Sequence, residues 1–446
     1  MAYSNRFGRR PMEVASKSSH SHIIRDPDVQ DFLNHCELPK EAVDVDLPSD
    51  QLVDFIPPDK NPIKHVITID GGYTEVAVRT QFPSSTMCFF QFGALVFSLD
   101  DLVEIEQSKF IDPSDMAKLK KIQRLKLALP VRHIKFANEP TLTHSVRRSL
   151  WSFFSKDIDG TSLADTLRWL IFEEFLPKPS EEWRLASCPH CAARNVLLSR
   201  KEMMVGNSVS CPGCSGQIFV SDVLRLHEAI DDELGAGGIL GYVTTALEQI
   251  ILSHMIRLVL QSKPDILKQL LFIKDGPLGF FGQTANLHKP MRKLVTFLFA
   301  THDLYLVGLE KSGSFVEHAH EVRKLLKPGK VLLLDDDYVY RYILPGKAPQ
   351  EAYGSTSYYG NKLVFHDRRG GTHVATVAAI TRKKTASIAD YTNLAVLLLN
   401  IELLRCDMYD NALMPVALAN KLVSLANHPS SKILQKFAIG SVASGN

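Results

Sequence analysis

Two apolar strands that each run into an aspartate and a glycine constrain the fold of this chain most strongly. The segment HVITIDGG, residues 65–72, carries Asp70 into a Gly-Gly pair, and the segment QLLFIKDGPLG, residues 269–279, carries Asp275 into a Gly-Pro pair. We predict that each aspartate ends its strand and that the glycines turn the chain. If the strands lie side by side, the carboxylates repel one another unless a cation lies between them, which predicts bound Mg²⁺ or Mn²⁺. Two unrelated Asp-Gly turns are the alternative.

The rest of the pattern mixes strands and helices. Residues 65–80 and 86–99 predict an antiparallel meander that begins at the Asp70 strand. A helix over 242–260 precedes the Asp275 strand, and a third buried strand over 304–309 follows it. The chain is therefore predicted to be α/β, with a mixed sheet flanked by helices. Further helices are predicted at 145–176, 222–234, 291–300, 392–406 and 415–426, and further strands at 331–334, 338–344, 362–366 and 373–380.

Four of the seven cysteines form two C-x-x-C pairs. Cys188 and Cys191 are separated by nineteen residues from Cys211 and Cys214. In a reducing compartment this spacing predicts a zinc ribbon in which four thiolates hold Zn²⁺ at about 2.3 Å. A closed four-Cys site has no open coordination position, so the zinc is expected to be structural. The ribbon serves either as a folding staple or as a contact surface for DNA or a partner protein.

Composition limits the class of protein. The chain has 446 residues and a net charge of +2, so a nucleic-acid partner must be met by a local basic groove rather than by overall charge. No apolar run approaches the roughly 20 residues that span a bilayer. The N-terminus, MAYSNRFGRRPMEV, is polar and basic and lacks the apolar region of a signal peptide. We expect a cytoplasmic protein that has no membrane partner.

Two further residues are candidates for the site. Glu248 lies in the helix that precedes the Asp275 strand, so it can add a third carboxylate to the pair. An exposed helix glutamate is the alternative. Lys311 follows the third buried strand, at the end where a lysine can meet a scissile phosphate. A solvated loop lysine is the alternative.

Three motifs resemble those of the NurA family of nucleases. They are IDGG around 68–72, KDGPL at 274–278 and GLEKS at 308–312. The resemblance spans about residues 62–425 apart from the four-Cys segment. It implies a ribonuclease H-like fold, in which antiparallel strands, a helix and a parallel fourth strand place carboxylates at the centre of the sheet. The four-Cys zinc ribbon is then an insertion into that fold.

The resemblance also implies an activity and partners. NurA-like proteins are Mn²⁺- or Mg²⁺-dependent nucleases that act on DNA ends or single strands. The resemblance implies two-metal phosphodiester hydrolysis, a homodimer, and docking on a HerA-like hexameric ATPase in DNA end processing, repair or defence. The implied domains are an N-terminal tail and docking arm at 1–60, nuclease core at 61–182 and 223–446, and the ribbon at 183–222.

Carried over by position, Asp70 and Asp275 match the two motif aspartates, and Glu248 is the best match for the helix glutamate. Glu173 and Glu174, in the helix before the ribbon, are alternatives to Glu248.

The sequence departs from the NurA pattern at the C-terminal helix. Asn420 or Lys421 stands where NurA proteins carry a histidine. This departure and the inserted ribbon favour a second interpretation, a catalytically weak DNA-binding or assembly subunit that uses the ribbon as its contact. A third interpretation is an actin-like ATPase, because that fold also begins with a strand followed by an Asp-Gly pair. It would need a second phosphate-binding Asp-Gly loop, which KDGPL does not supply.

Overall fold

The computed structural model describes residues 23–79, 81, 83–102, 122–158, 160–346, 349–406, 412–425 and 430–443. Residues 1–22 of the predicted N-terminal tail and docking arm lie outside these ranges, as do residues 103–121.

Strands form one large sheet and three small hairpins. The strands are β1 Leu52–Asp54, β2 His65–Arg79, β3 Ser85–Ser98, β4 Ile122–Arg132, β5 Asp157–Ile158, β6 Thr161–Ser162, β7 Glu182–Ser187, β8 Arg194–Ser199, β9 Ser208–Ser210, β10 Gln217–Phe219, β11 Leu270–Asp275, β12 Tyr305–Glu310, β13 Lys330–Leu333, β14 Gly360–His366 and β15 Thr372–Ala378.

The large sheet is mixed and has nine strands, in the order β1-β13-β14-β15-β12-β11-β2-β3-β4. Strand β11 lies between β2 and β12 and is parallel to both. Every other neighbouring pair in this sheet is antiparallel. The predicted meander is confirmed as β2 and β3, and it continues into β4, which the sequence pattern did not reveal. The carboxyl ends of β2, β11 and β12 therefore point the same way along the centre of the sheet.

Helices cover both faces of the sheet. The longest, Leu240–Ser262, is called the central helix below, and most of its residues are buried. The other helices longer than one turn are Pro27–Asn34, Leu142–Phe154, Leu163–Ile171, Arg200–Met203, His288–Thr301, Ser314–Val322, Leu394–Leu403, Met414–Val423 and Ser430–Ala443.

The alternation of side chains along β2 and β11 builds two cores. Ile67, Ile69 and Phe272 pack on one face with the central helix and the residues of the four-Cys segment. Val66 and Ile273 pack on the other face with the C-terminal helices. We call these the central-helix face and the C-terminal face.

Strand β2 does not end at Asp70, and this part of the prediction is wrong. The strand runs through Gly71 and Gly72, which pair with Phe92 and Gln91 of β3. The glycines allow close approach instead of a turn. A Cβ at Gly71 would lie 2.6 Å from the ring of Phe92, and one at Gly72 would lie 2.9 Å from the Val423 carbonyl.

Three other expectations are corrected. Residues 222–234 form short 3₁₀ turns rather than a helix, and 338–344 contain a π-helical turn rather than a strand. The helix expected at 145–176 is two helices separated by the β5–β6 hairpin. Local apolar composition cannot distinguish these outcomes, because tertiary packing decides them.

One helix, Gly237–Ser262, is long and apolar enough to cross a membrane by length and composition alone, contrary to the expectation that no such run exists. Of its apolar window, 61% is buried inside the fold. Its sides pack on β2, the small helices and the loop after β11, which is the environment of a core helix in a folded domain.

Candidate carboxylate site

Asp70 and Asp275 lie next to each other on the C-terminal face of the sheet. Ile69 of β2 pairs with Lys274 of β11 in parallel register, so the residues that follow them are neighbours. Val66 and Ile273 share the same core, and alternation puts the side chains of Asp70 and Asp275 on that face. The sheet therefore brings together two carboxylates that are far apart in the sequence.

The turn after Asp275 is held rigidly. Gly276 has a φ of +85°, and its N–H donates to the Leu309 carbonyl at 2.6 Å. Gly308 of β12 lets this turn fold back, because a Cβ there would lie 2.5 Å from the Gly276 carbonyl oxygen. From the central helix, Gln249 Nε2 donates to the Gly279 carbonyl at 3.1 Å. These contacts fix the position from which Asp275 projects.

Glu248 approaches the same two strands from the opposite, central-helix face of the sheet. It is buried, and the missing side chain of Gly71 makes room for it: a Cβ there would lie 3.2 Å from Glu248 Oε1. The other carboxylate oxygen, Oε2, accepts an ion pair from Lys274 Nζ at 2.7 Å. Burial raises the pKa of Glu248, and Lys274 opposes that shift.

Without a bound cation, the ionised form of the Asp70 carboxyl is disfavoured. Its side chain is only 3% exposed. Burial first, and then the charges of Asp275 and Glu248, raise its pKa to about 8, while Lys311 and the Gly71 N–H act in the opposite direction. Lys311 Nζ donates to Asp275 Oδ2 at 2.6 Å, so the lysine expected at the site is present. The other three residues predicted for the site thus all lie within electrostatic reach of Asp70.

One oxygen at the centre of this group has no partner. Asp70 Oδ1 accepts the Gly71 N–H at 2.8 Å, but the buried Oδ2 has no hydrogen-bond partner. A buried carboxylate oxygen without a partner is destabilising, and a divalent cation would satisfy it. Asp70, Asp275 and Glu248 supply oxygen ligands of the kind that a hard cation prefers. Without a bound cation, Lys274 forms an ion pair with Glu248, and Lys311 forms one with Asp275. The ligand oxygens of the three carboxylates do not all lie within 4.8 Å of one another, as the sulfurs of the four cysteines do.

The alternative glutamates lie in other ion pairs. Glu173 accepts from Lys293 Nζ at 2.7 Å, and Glu174 accepts from Arg168 Nε at 3.2 Å. The carboxylates whose charge raises the pKa of Asp70 are Asp275 and Glu248. The geometry thus places Glu248, rather than Glu173 or Glu174, beside Asp70.

The C-terminal helix Met414–Val423 packs on β2 and β3, and its end covers Gly72. Gln91 Nε2 donates to the Leu422 carbonyl at 2.7 Å, which anchors this helix end to the sheet. Asn420 and Lys421 are exposed. The helix in which the NurA resemblance places a histidine therefore lies against the strand that carries Asp70.

The four cysteines form a separate centre. The Sγ atoms of Cys188 and Cys214 are 3.9 Å apart, as are those of Cys191 and Cys211, and all four lie within 4.8 Å of one another. Sulfurs around a tetrahedral ion with bonds of about 2.3 Å are about 3.8 Å apart, so the cluster fits a metal ion such as zinc. Two small hairpins frame this cluster, since β8 pairs with β7 and β10 pairs with β9.

Two structural residues of the site region were missed by sequence reasoning. Lys274 is 2% exposed, and a lysine inside an apolar strand was the available indication that it needs a buried partner. Arg147 fastens the four-Cys segment to the body of the protein. Its guanidinium forms a buried bidentate pair with Asp222, both bonds at 2.8 Å, and donates to the Gln217 carbonyl at 3.0 Å.

Comparison with solved structures gives a structural likeness, whereas the sequence comparisons give no match. No protein-family model matches the chain. No curated protein sequence matches it either. Among solved structures, it is similar to one described as the crystal structure of NurA, with 10% sequence identity, 93% of this chain and 95% of that chain covered, and a TM-score of 0.28. A TM-score of 0.28 does not establish a common fold.

The pKa of Asp70 gives a stability prediction for zinc-replete protein in buffer free of Mn²⁺ and Mg²⁺. The ordinary value is 3.8 and the folded value about 8. Below pH 3.8 the carboxyl is protonated in both states. As pH rises toward 8 the unfolded chain releases the proton first, so Asp70 lowers the free energy of unfolding, fully above about pH 8. Asp70→Asn should therefore be more stable than the wild type at pH 8.5, by about 1–3 kcal/mol, and similar to it at pH 4. Urea denaturation at both pH values measures this, and equal stabilities at pH 8.5 would contradict it.

The Lys274–Glu248 pair gives a second stability prediction. Lys274→Met leaves Glu248 buried without its cation and should lower the free energy of unfolding by about 3–5 kcal/mol. Adding Glu248→Gln removes the stranded charge, so the double variant should recover at least half of that loss. Urea denaturation at pH 7 tests both variants. If Lys274→Met unfolds at the wild-type urea concentration, the two side chains are not energetically coupled.

Proposed function

We propose that this protein is a metal-dependent DNA nuclease of the NurA type. The observation that carries the proposal is that Asp275 and Glu248 lie close enough to raise the pKa of Asp70, whose buried oxygen Oδ2 has no hydrogen-bond partner. Carboxylates on adjacent parallel strands, with a lysine beside them, suit divalent-metal hydrolysis of phosphodiesters. The motif resemblance to NurA supports the same activity.

The sheet order supports a ribonuclease H-like core. Within the nine strands, β4-β3-β2 form an antiparallel meander, and β11 and β12 follow in parallel beside β2. This is the arrangement that the NurA resemblance implies, with the central helix between the meander and β11 in the chain. Strands β15, β14, β13 and β1 extend this core on the β12 side, and the four-Cys segment is inserted before the central helix.

The roles of the residues follow from their positions. Mn²⁺ or Mg²⁺, when bound, activates water and stabilises the leaving oxygen. Asp70, the most deeply buried of the pair on the C-terminal face, would be the shared ligand, with Asp275 and Glu248 on either side. Lys311 is partly exposed, and it can leave Asp275 for a phosphate oxygen once a cation neutralises that carboxylate. Lys274 holds Glu248 in place.

The proposed assembly is cytoplasmic, a homodimer docked on a HerA-like hexameric ATPase. The resemblance to NurA supports this part. Size-exclusion chromatography with light scattering tests the dimer, and a monomeric mass at micromolar concentration would overturn it.

The nuclease activity is tested with purified wild-type protein on fluorescently labelled single-stranded and blunt-ended DNA. We expect cleavage with Mn²⁺ or Mg²⁺ and none with EDTA. Absence of cleavage of both substrates with both metals, with and without a HerA-like ATPase, would overturn the proposal.

A second candidate is a catalytically weak DNA-binding or assembly subunit. The observation that favours it is that lysines already neutralise two of the three carboxylates, since Lys274 pairs with Glu248 and Lys311 with Asp275. Calorimetric titration with Mn²⁺ separates the candidates. A nuclease should bind Mn²⁺ and lose that binding on Asp275→Asn, whereas the weak subunit should bind none at this site.

A further inference from the structure

A basic pocket lies where the helix Leu142–Phe154 crosses the edge strand β4, and it belongs neither to the carboxylate site nor to the four cysteines. Its volume is about 290 Å³. The polar residues that line it are Lys126, Arg148, Ser149, Ser152 and Lys156, and the aromatic ones are Phe136 and the buried Phe153. This volume, close to the lower end for small-ligand sites, has room for about one nucleotide.

The charge of the pocket is uncompensated. None of its lining residues is an aspartate or glutamate. Lys126, Arg148 and Lys156 are exposed, and within the ranges that the structure describes no carboxylate forms an ion pair with any of them. The neighbouring Arg147, by contrast, forms a buried ion pair with Asp222. Three unpaired cations around one concavity attract an anion that can meet several donors at once, such as a phosphate.

An aromatic wall adds a second kind of contact. Phe136 is 45% exposed although it is a large apolar side chain. Its backbone is anchored, since the Phe136 N–H donates to Ser145 Oγ at 3.0 Å and its carbonyl accepts the Glu139 N–H at 3.1 Å. An anchored, half-exposed ring beside phosphate-binding cations is the combination on which the bases of single-stranded nucleic acid stack.

The position of the pocket relates it to the carboxylates. Lys126 pairs with Gln91, and Gln91 pairs with Gly72, so the three lie in one row across β4, β3 and β2. Two strand spacings put Lys126 about 10 Å from Gly72, which is two residues beyond Asp70. Register partners project on the same face, so Lys126 projects on the C-terminal face with Asp70. The helix Leu142–Phe154, which carries Arg148 and Ser152, packs on the central-helix face, so the pocket lies at the β4 edge of the sheet, between the two faces. A DNA strand that contacts both sites would therefore have to pass over the β4 edge of the sheet.

We propose that this pocket binds a backbone phosphate of single-stranded DNA, with the adjoining base stacked on Phe136. The pocket would thus hold a part of the substrate strand that lies outside the carboxylate site. The identity of the ligand as DNA rests on the proposed function. Lys126, Arg148 and Lys156 supply the charge, and the hydroxyls of Ser149 and Ser152 line the same wall.

The test is fluorescence anisotropy of full-length protein with a labelled oligothymidylate of about 12 nucleotides, without divalent metal so that nothing is cleaved. The variant Lys126→Gln/Arg148→Gln/Lys156→Gln should bind about 10-fold or more weakly near 0.1 M salt, and the slope of log affinity against log salt should shrink by about 1–2. Phe136→Ala should weaken binding severalfold, and Phe136→Tyr should restore it, since tyrosine keeps the stacking face. The control is Lys263→Gln/Lys268→Gln/Lys289→Gln, which removes three exposed lysines elsewhere and the same total charge.

The outcomes separate this proposal from the nuclease proposal. Equal affinity and salt slope for the pocket variant and the control would overturn the pocket, even if the protein cleaves DNA. Loss of binding in the pocket variant alone would support it, even if no cleavage is found. If millimolar inorganic phosphate displaces the oligonucleotide and Phe136→Ala has no effect, the pocket is a site for small anions and the DNA assignment fails.

Discussion

Asp275→Asn is expected to abolish metal-dependent DNA cleavage, with a rate at least about 10³-fold below the wild type. Asparagine keeps the shape of the side chain but removes the negative charge that attracts the cation. The fold should survive, because Asp275 is partly exposed at the strand end and its one ion-pair partner, Lys311, is also partly exposed. The measurement is the initial rate of cleavage with Mn²⁺, with circular dichroism and Mn²⁺ titration on the same preparations.

The matched control is Asp337→Asn. Asp337 is an exposed aspartate that also follows a buried strand of the same sheet, so it tests the same chemical change outside the site. We expect wild-type rates from it. Cleavage by Asp275→Asn within about 10-fold of the wild type would remove Asp275 from the metal site, and with it the geometry on which the nuclease proposal depends.

Cys211→Ser is expected to lose the zinc and to unfold the ribbon. Binding of zinc to a four-Cys site contributes folding free energy directly, with apparent values of about 10–16 kcal/mol in isolated zinc fingers. The effect should spread, because the buried side chains of Cys188, Cys211, Leu198 and Ile218 belong to the same core as the central helix. We expect about one zinc per chain in the wild type and well under half of that in the variant, with a lower melting temperature.

Cys36→Ser is the control for this experiment. Cys36 is an exposed free cysteine outside the ribbon, so its loss should change neither zinc content nor melting temperature. Zinc content is measured by elemental analysis after gel filtration. A full equivalent of zinc on Cys211→Ser, or none on the wild type, would show that the four cysteines serve another purpose.

The two sites differ in how well they distinguish a nuclease from an assembly subunit. A stable, zinc-filled ribbon is compatible with either a nuclease or an assembly subunit, so only the carboxylate site distinguishes them. The competition between Lys274 or Lys311 and a cation for the same carboxylates is the physical question, and Mn²⁺ titration of the wild type answers it directly.

The pattern of residues determined the parts of this protein that depend on near neighbours in the chain. The spacing of Cys188, Cys191, Cys211 and Cys214 predicted the four-Cys cluster, because the tight turn within each C-x-x-C pair directs both thiols toward one metal ion. Apolar periodicity predicted β2, β3, β11 and β12 and the central helix, since each buries a regular face.

The tertiary structure alone decided the relations between distant segments. Which strand lies beside β2, which face Glu248 reaches and which lysine meets it are set by sheet order and close packing at Gly71 and Gly308. The same holds for the basic pocket, whose cations come from β4 and from the helix across it. Periodicity records burial along one segment, but the pairing of two segments is a free-energy balance over the whole fold, which local sequence does not encode.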